Sequence, residues 1–239
     1  MPLDIAIVLY DGMTTLDAIG PMEVLRFLPG ARLLFVADDA NPVTTDVDVL
    51  ELGPTVAFDQ VPAADVIVVP GGPGTAAALA GPLVPWLRAV HPSTRWTTSV
   101  CSGSLLLGAA DLLRGAPATS HFTVREHLVG FGATPTAQRV VVDADRHVIT
   151  AAGVSAGIDM ALALAELLTD ADTADAIQLI IEYDPRPARR AGTLETAPPA
   201  VVARAVELGR PHGAIPEGWA PGRRPPEAVP ASPPLDTRP

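Results

Sequence analysis

The chain contains no lysine and only one cysteine among its 239 residues. All 16 basic residues are arginine, which excludes a lysine as a Schiff-base or general-base residue. A single cysteine also excludes an intramolecular disulfide. Basic charge is in deficit, because 27 acidic residues give a net charge of −11. This acidic balance argues against a nucleic-acid-binding face and against docking on anionic lipid.

Long apolar runs are absent as well. No run reaches the ~18 residues that a membrane-spanning helix needs. The N-terminus lacks the basic segment that precedes the apolar part of a signal peptide. We therefore expect a cytoplasmic protein. Apolar residues nevertheless make up 48% of the chain and charged residues only 18%, a balance typical of a folded domain with a buried core.

Short apolar runs alternate with helical segments along most of the chain. The runs predict strands over 4–9, 31–36, 44–52, 65–69, 96–100, 139–142 and 147–150. The intervening segments predict helices over 15–27, 74–79, 83–90, 103–113, 157–168 and 174–183. Pro21 is expected to kink the first helix or to mark a second start. We predict a flavodoxin-like three-layer α/β sandwich with a mostly parallel central sheet.

The composition changes after about Gly209, where prolines accumulate together with glycine and arginine. Such a segment is poor in the apolar residues that a packed core requires. We therefore predict one α/β domain over residues 1–208, followed by a Pro-rich, disordered tail over residues 209–239.

Cys101 is the most informative residue of the chain. A strand-forming run ends at Cys101 and a helix is predicted directly after it, which is the layout of a nucleophile elbow. The small residues Ser102 and Gly103 permit the sharp turn. The N-terminus of the helix lies beside the sulfur, which predicts a Cys101 pKa below the free value of about 8.5. The alternative is a small, inert cysteine in the core.

Asp17 lies in the first turn of the helix that follows the first strand. One interpretation is a carboxylate that only interacts favourably with the helix dipole. The other is an acid/base group that faces Cys101, because ligands bind beyond the carboxyl ends of parallel strands. The sequence leaves both interpretations open.

Gly71 and Gly72 belong to the run PGGPG, which follows another buried strand. Their N–H groups, with that of Ser102, are candidates for stabilising negative charge. The alternative is an ordinary turn with glycine at positive φ. The spacing G-x-G-x-x-G is absent, so no dinucleotide cofactor is expected.

His121, in the run TSHF at 119–122, is placed just after the end of a further short strand and is a candidate for the lining of a substrate pocket. No pair of histidines has zinc-ligand spacing with the single cysteine. We therefore expect neither a metal site nor a cofactor.

At these residues the sequence resembles the ThiJ/PfpI superfamily, which has the class I glutamine amidotransferase-like fold. Within it, the sequence is most similar to the isocyanide hydratase branch. The resemblance covers roughly residues 4–185. It is carried by Asp17 and by LYDG at 9–12, AIGP at 18–21, EV at 23–24, PGGPG at 70–74, CSGSLLLGAA at 101–110, ATSH at 118–121, AGVSAGID at 152–159 and QLIIEYDP at 178–185.

The residue after the cysteine departs from the pattern of two branches. Peptidase-type members place a histidine there, so Ser102 disfavours peptidase activity. Hydratases usually carry threonine, and Ser102 keeps both the hydroxyl and the N–H. The acidic partner matches the hydratase branch, in which Asp17 takes the place of the glutamate found in many relatives.

The resemblance implies a homodimeric enzyme that hydrates an isocyanide, R–NC, to an N-substituted formamide. Cys101 would add to the terminal carbon and form a thioimidate, while Asp17 would act as general acid and base. The Ser102 hydroxyl would orient Asp17 or water. The N–H groups of Gly72 and Ser102 would stabilise the charged intermediate, and no cofactor is implied.

Two alternatives remain open. Similar domains form the N-terminal part of AraC-type regulators, which makes a ligand-sensing domain possible, although the residues after Gly209 are too few for the helix-turn-helix pair of those regulators. The other alternative is a different thiol activity of the superfamily, such as glyoxalase or deglycase chemistry or redox sensing by Cys101.

Overall fold

The computed structural model describes residues 2–53 and 55–222. The strands are β1 (Leu3–Val8), β2 (Ala31–Ala37), β3 (Val43–Thr44), β4 (Glu51–Leu52), β5 (Val56–Ala57), β6 (Val66–Val69), β7 (Trp96–Val100), β8 (Pro117–Ala118), β9 (Thr134–Pro135), β10 (Val140–Asp143) and β11 (Val148–Ala151). The α-helices are α1 (Thr15–Leu25), α2 (Thr75–Ala78), α3 (Leu83–Val90), α4 (Gly103–Ala109), α5 (Ala156–Leu168), α6 (Ala171–Ile180) and α7 (Pro199–Gly209).

The central sheet has seven strands in the order β10-β11-β7-β6-β1-β2-β5. Every neighbouring pair is parallel except β10 and β11, which are antiparallel. Two small sheets, β3-β4 and β8-β9, lie outside it. The predicted mostly parallel sheet is therefore confirmed.

The two faces of the sheet bury separate apolar cores. In β1, Ile5 and Ile7 point to the core that includes residues of α1 and α5. Ala6 and Val8 alternate with them and point to the core that includes residues of α3 and α4. A continuous apolar run such as residues 5–8 of β1 needs cover on both faces of the sheet. This packing gives the predicted three-layer sandwich.

Helix α1 runs from Thr15 to Leu25 without a second start, although Pro21 lies inside it. Proline cannot donate the hydrogen bond that the carbonyl of Asp17 would otherwise receive. The buried Pro21 ring packs closely on α5, since a Cβ added at Gly157 would lie 3.2 Å from Pro21 Cγ. Dense packing between α1 and α5 therefore accompanies the lost backbone hydrogen bond.

Residues 44–52 do not form the single strand that their alternating pattern predicts. The chain turns between β3 and β4, where the N–H of Thr45 donates to the carbonyl of Leu50 at 3.0 Å. Asp46 lies in this turn, and its carboxylate accepts a hydrogen bond from the N–H of Thr15 at 3.2 Å. An acidic side chain that binds the start of α1 holds the segment as a loop beside that helix.

Two helices differ from their predicted bounds by three residues or more. The segment predicted over 103–113 ends as α4 at Ala109, close to Asp111, whose φ of 66° reverses the chain. Helix α6 begins at Ala171, before the predicted start at residue 174, because the side chain of Asp170 caps it by accepting from Thr173 N–H at 2.8 Å.

Within the described ranges, no helix is both long and apolar enough to cross a membrane.

The described residues after α7 contact the domain. Ile215 is buried, and the half-buried Trp219 meets Phe122 edge to face with ring centroids 5.4 Å apart. These two apolar residues lie among the prolines and glycines that dominate the composition of the segment after residue 209. For residues 209–222 the structure therefore differs from the predicted disordered tail. Residues 223–239 lie outside the described residues, and the domain boundary at residue 208 stays a prediction.

Candidate active site

The site forms where the order of the parallel strands reverses. Strand β1 is flanked by β2 on one side and by β6 on the other, and ligands bind beyond the strand ends at such a switch point. Asp17 follows β1, Gly71 and Gly72 follow β6, and Cys101 and Ser102 follow β7. The fold therefore brings the predicted residues from three chain segments to one edge of the sheet.

Cys101 forms the sharp turn between β7 and α4. Its φ of 59° lies in the left-handed region, which is uncommon for a residue with a side chain. The surrounding backbone holds it there, because the Cys101 N–H donates to the carbonyl of Ala152 at 2.8 Å. The Cys101 carbonyl accepts from the Ser120 hydroxyl at 2.9 Å. The predicted nucleophile elbow is confirmed, with strain held by bonds on both sides of the residue.

Asp17 is fully buried and points toward the elbow. Its Oδ2 accepts the Gly71 N–H at 2.9 Å. Burial raises the pKa of Asp17 to about 7, although the Gly71 N–H and the nearby Cys101 thiol oppose this rise and the charge of Asp46 adds to it. Oδ1 has no well-aligned partner among the described residues. The geometry favours the acid/base interpretation over a carboxylate that serves only the helix dipole.

The predicted low pKa of Cys101 is wrong. Burial raises the pKa of the thiol above its ordinary value, and the charge of Asp17 raises it further. The N–H groups of Ser102 and Val154 and the Ser102 hydroxyl act in the opposite direction. The prediction included the helix N-terminus but omitted desolvation, which is large because Cys101 is only 6% exposed. With its pKa raised in this way, Cys101 is a protonated thiol at neutral pH.

Gly71 and Gly72 hold side chains of the site with their N–H groups. Gly71 donates to Asp17, and Gly72 donates to Ser102 Oγ at 2.9 Å. This differs from the prediction that both N–H groups face a charged intermediate. A Cβ at Gly71 would overlap Ser102 N, and one at Gly72, where φ is 142°, would lie 2.5 Å from Thr14 N. Glycine is required for this close approach of backbone segments.

A chain of hydroxyl groups leads away from Ser102. Ser102 Oγ lies 2.8 Å from Thr75 Oγ1, which lies 3.0 Å from the Tyr10 hydroxyl. Tyr10 donates to the Pro70 carbonyl at 2.8 Å. Burial raises the pKa of Tyr10, so its phenol keeps its proton at physiological pH. These contacts connect the residue beside Cys101 with the end of β1.

His121 packs behind the loop that contacts the sulfur. A Cβ at Gly153 would lie 2.5 Å from His121 Cδ2, and Val154 follows that glycine. Nδ1 of His121 lies 2.7 Å from Thr123 Oγ1. Burial lowers the pKa of His121 to about 4, so the ring is neutral at pH 7. Its predicted place in a substrate pocket stays a prediction.

Sequence reasoning did not single out Tyr10, Thr75 or Val154. Tyr10 and Val154 lie inside segments that carry the family resemblance, but nothing about their residue types assigns them a role. Thr75 directly follows PGGPG at the start of α2, and a hydroxyl at that position was the available signal. The φ of 38° at Val154 has no signal in the sequence, because β-branched residues rarely adopt it.

Comparisons with known proteins agree with the fold. The model of the DJ-1/PfpI family matches residues 4–167. An isonitrile hydratase from Pseudomonas putida is 42% identical over 217 residues, which cover 88% of this chain and 92% of that protein. The crystal structure of a ThiJ/PfpI family protein from Pseudomonas syringae has a TM-score of 0.82 and 41% identity, covering 89% of this chain and 88% of that one.

A transcriptional regulator is also similar to part of the chain. The HTH-type regulator GbdR of Pseudomonas aeruginosa is 27% identical over 169 residues, which cover 68% of this chain but only 46% of the regulator. The similarity therefore concerns one part of a longer protein.

Proposed function

The chain belongs to the DJ-1/PfpI family, and we propose that it is an isocyanide hydratase that converts R–NC and water into an N-substituted formamide. The buried pairing of Cys101 with Asp17 at the strand switch point carries this proposal. The similarity to an isonitrile hydratase over 88% of the chain supports the substrate class. The same residues can supply both the nucleophile and the proton that the reaction needs.

The first half of the reaction joins the sulfur to the isocyanide carbon. The Asp17 carboxylate takes the proton of the Cys101 thiol as the sulfur attacks the terminal carbon. Asp17 then gives this proton to the same carbon, and the product is the thioimidate R–N=CH–S–Cys101. A carboxyl group with a pKa of about 7 can serve as base and acid in turn at neutral pH.

The second half releases the product by adding water. Asp17, now ionised, takes a proton from water while the oxygen attacks the thioimidate carbon, and then passes this proton to the nitrogen. The tetrahedral adduct R–NH–CH(OH)–S–Cys101 gives its hydroxyl proton to Asp17 as the C–S bond breaks, and Asp17 returns that proton to the departing sulfur. The products are R–NH–CHO and the regenerated thiol, so one water is consumed for each isocyanide.

The direct test is turnover of cyclohexyl isocyanide by the wild-type protein. We expect N-cyclohexylformamide, detected by mass spectrometry, with one ¹⁸O in the formyl group when the reaction runs in H₂¹⁸O. A rate no higher than that of the heat-inactivated protein would reject the proposed function.

The pH profile should report the ionisation of Asp17. The reaction needs the Asp17 carboxylate together with the Cys101 thiol, and protonation of Asp17 removes the base. We expect kcat/KM to rise tenfold per pH unit below about 7 and to level off above it, because the raised pKa of the thiol lies beyond that range. A profile that is flat between pH 5 and 8 would contradict this assignment.

The proposal includes a homodimer. The N–H of Thr15 at the start of α1 donates to the Asp46 carboxylate in the loop after β3. Both segments expose apolar side chains near this contact. A patch of this kind is a candidate contact between two copies of the chain. The exposed residues are Leu16, Val47, Val49 and Leu50. Light scattering at micromolar concentration should give twice the mass of one chain, and the mass of one chain would contradict the dimer.

A further inference from the structure

We propose that Thr75 and Tyr10 are positioning residues for Ser102. The three hydroxyl groups form a chain whose hydrogen bonds can reverse direction. When the Cys101 thiol ionises, the reversed chain lets Ser102 donate a hydrogen bond to the sulfur. The catalytic consequence rests on the proposed function. The hydrogen bonds themselves are present without substrate, so they can be tested independently of turnover.

The direction of each hydrogen bond follows from the last acceptor. The Pro70 carbonyl can only accept, so it takes the single hydroxyl proton of Tyr10 at 2.8 Å. The contact of 3.0 Å between Tyr10 and Thr75 then requires Thr75 to donate. The contact of 2.8 Å between Thr75 and Ser102 in turn requires Ser102 to donate. In this arrangement the Ser102 proton points away from the sulfur.

Ser102 directly follows Cys101, and its hydroxyl lowers the pKa of the thiol, so a hydrogen bond from Ser102 to the sulfur favours the thiolate. When Ser102 turns its proton to the sulfur, Thr75 can donate to Ser102 and Tyr10 can donate to Thr75. The Gly72 N–H continues to donate to Ser102 Oγ at 2.9 Å.

Both arrangements contain four hydrogen bonds. The reversal moves one bond from the Pro70 carbonyl to the sulfur and requires only rotation of hydroxyl groups. A negative charge on Cys101 favours the reversed arrangement, since a chain of aligned donors strengthens the bond to an anion. The network therefore offers the thiolate a donor without leaving a hydroxyl group unpaired.

The neighbouring charges set the conditions for this reversal. Asp17 is the titratable group whose charge opposes the thiolate, and the charge of Cys101 in turn raises the pKa of Tyr10. Asp46 acts on the site through Asp17 and Tyr10. Burial keeps Tyr10 protonated, so the far end of the chain always has a proton to donate.

The competing explanation is that these hydroxyl groups only satisfy one another inside the fold. Thr75 is 4% exposed, and a buried hydroxyl needs a partner wherever it lies. A purely structural role predicts that its loss changes the melting temperature and leaves the ionisation of Cys101 unchanged. Our proposal predicts a change in the ionisation itself.

The experiment measures the rate at which iodoacetamide alkylates Cys101 between pH 6 and 10. Below the thiol pKa this rate follows the thiolate fraction, so one unit of pKa is a tenfold change in rate. We expect Thr75→Val to slow alkylation about 3- to 10-fold at each pH, because the bond that supports Ser102 is lost. Thr75→Ser keeps the hydroxyl and should alkylate at the wild-type rate.

Thr98→Val is the matched control. It removes a buried threonine hydroxyl that donates to the Ile67 carbonyl at 3.0 Å, outside the chain of hydroxyl groups. We expect Thr98→Val to lower the melting temperature and to leave the alkylation profile unchanged.

The proposal is overturned if Thr75→Val alkylates at the wild-type rate, or if Thr75→Ser is slowed as much as Thr75→Val. If Thr75→Val does not fold, Tyr10→Phe decides, with alkylation expected about 2- to 3-fold slower than wild type and a wild-type rate rejecting the proposal. Alkylation needs no isocyanide. If the wild-type protein fails the hydratase assay but Thr75→Val slows alkylation, only the proposed function is rejected. If the wild-type protein hydrates the isocyanide but Thr75→Val alkylates at the wild-type rate, only the role of the hydroxyl chain is rejected.

Discussion

Cys101→Ala is expected to abolish isocyanide turnover, with kcat/KM at least about 10⁴-fold below wild type, as is usual when a nucleophile is removed. No other cysteine can replace it, because the chain has only one. The measurement is formation of N-cyclohexylformamide at pH 8, where Asp17 is mainly ionised.

Loss of activity in Cys101→Ala must be separated from loss of the fold. The Cys101 side chain is small, and the elbow is held mainly by backbone bonds to Ala152 and by the Ser120 hydroxyl. The variant should therefore melt within a few degrees of wild type. Full turnover by a folded Cys101→Ala protein would eliminate the thioimidate route.

Asp17→Asn is expected to lower kcat/KM by about 10²- to 10⁴-fold, the usual contribution of a general acid/base group. Asparagine can still accept the Gly71 N–H, so the geometry of the loop is retained. The variant cannot take the thiol proton, and its residual activity should lack the rise in rate near pH 7. Wild-type activity with an unchanged pH profile would remove Asp17 from the mechanism.

Asp17→Asn should lower activity but raise the stability of the fold at pH 8. The pKa of Asp17 is raised from 3.8 to about 7 in the folded state, so its carboxyl group stabilises the fold most at low pH. This contribution is lost as the pH rises from the unfolded pKa of 3.8 to the folded pKa of about 7, because over this range the group releases its proton in the unfolded chain but not in the folded one. We expect Asp17→Asn to melt above wild type at pH 8, with a smaller difference at pH 5. No difference between the two pH values would contradict the raised pKa.

The parts of the fold that the sequence predicted correctly are those that local pattern determines. Strand β6 is apolar at every position and β1 is apolar from Ile5 to its end, which identifies both strands and their burial on two faces. The elbow at Cys101 was predictable for the same reason, since a strand end and a helix start meet within three residues. The single strand predicted over residues 44–52 is wrong because a turn with two aspartates also alternates between apolar and polar residues.

The properties of the site depend on contacts between distant segments, which no local pattern records. The helix N-terminus beside Cys101 is visible in the sequence, whereas the desolvation that outweighs it comes from the whole fold. Likewise, Tyr10, Thr75 and Ser102 lie on three separate segments, and their hydroxyl groups meet only after the sheet has formed.

The close packing of the PGGPG loop also determines how the protein can be re-engineered. A Cβ at Gly74 would overlap the Asp11 carbonyl oxygen, and backbone atoms lie similarly close to Gly71 and Gly72. Saturation libraries at these three positions would return almost only glycine. Attempts to change the specificity of the site are better directed at neighbouring positions that already carry side chains.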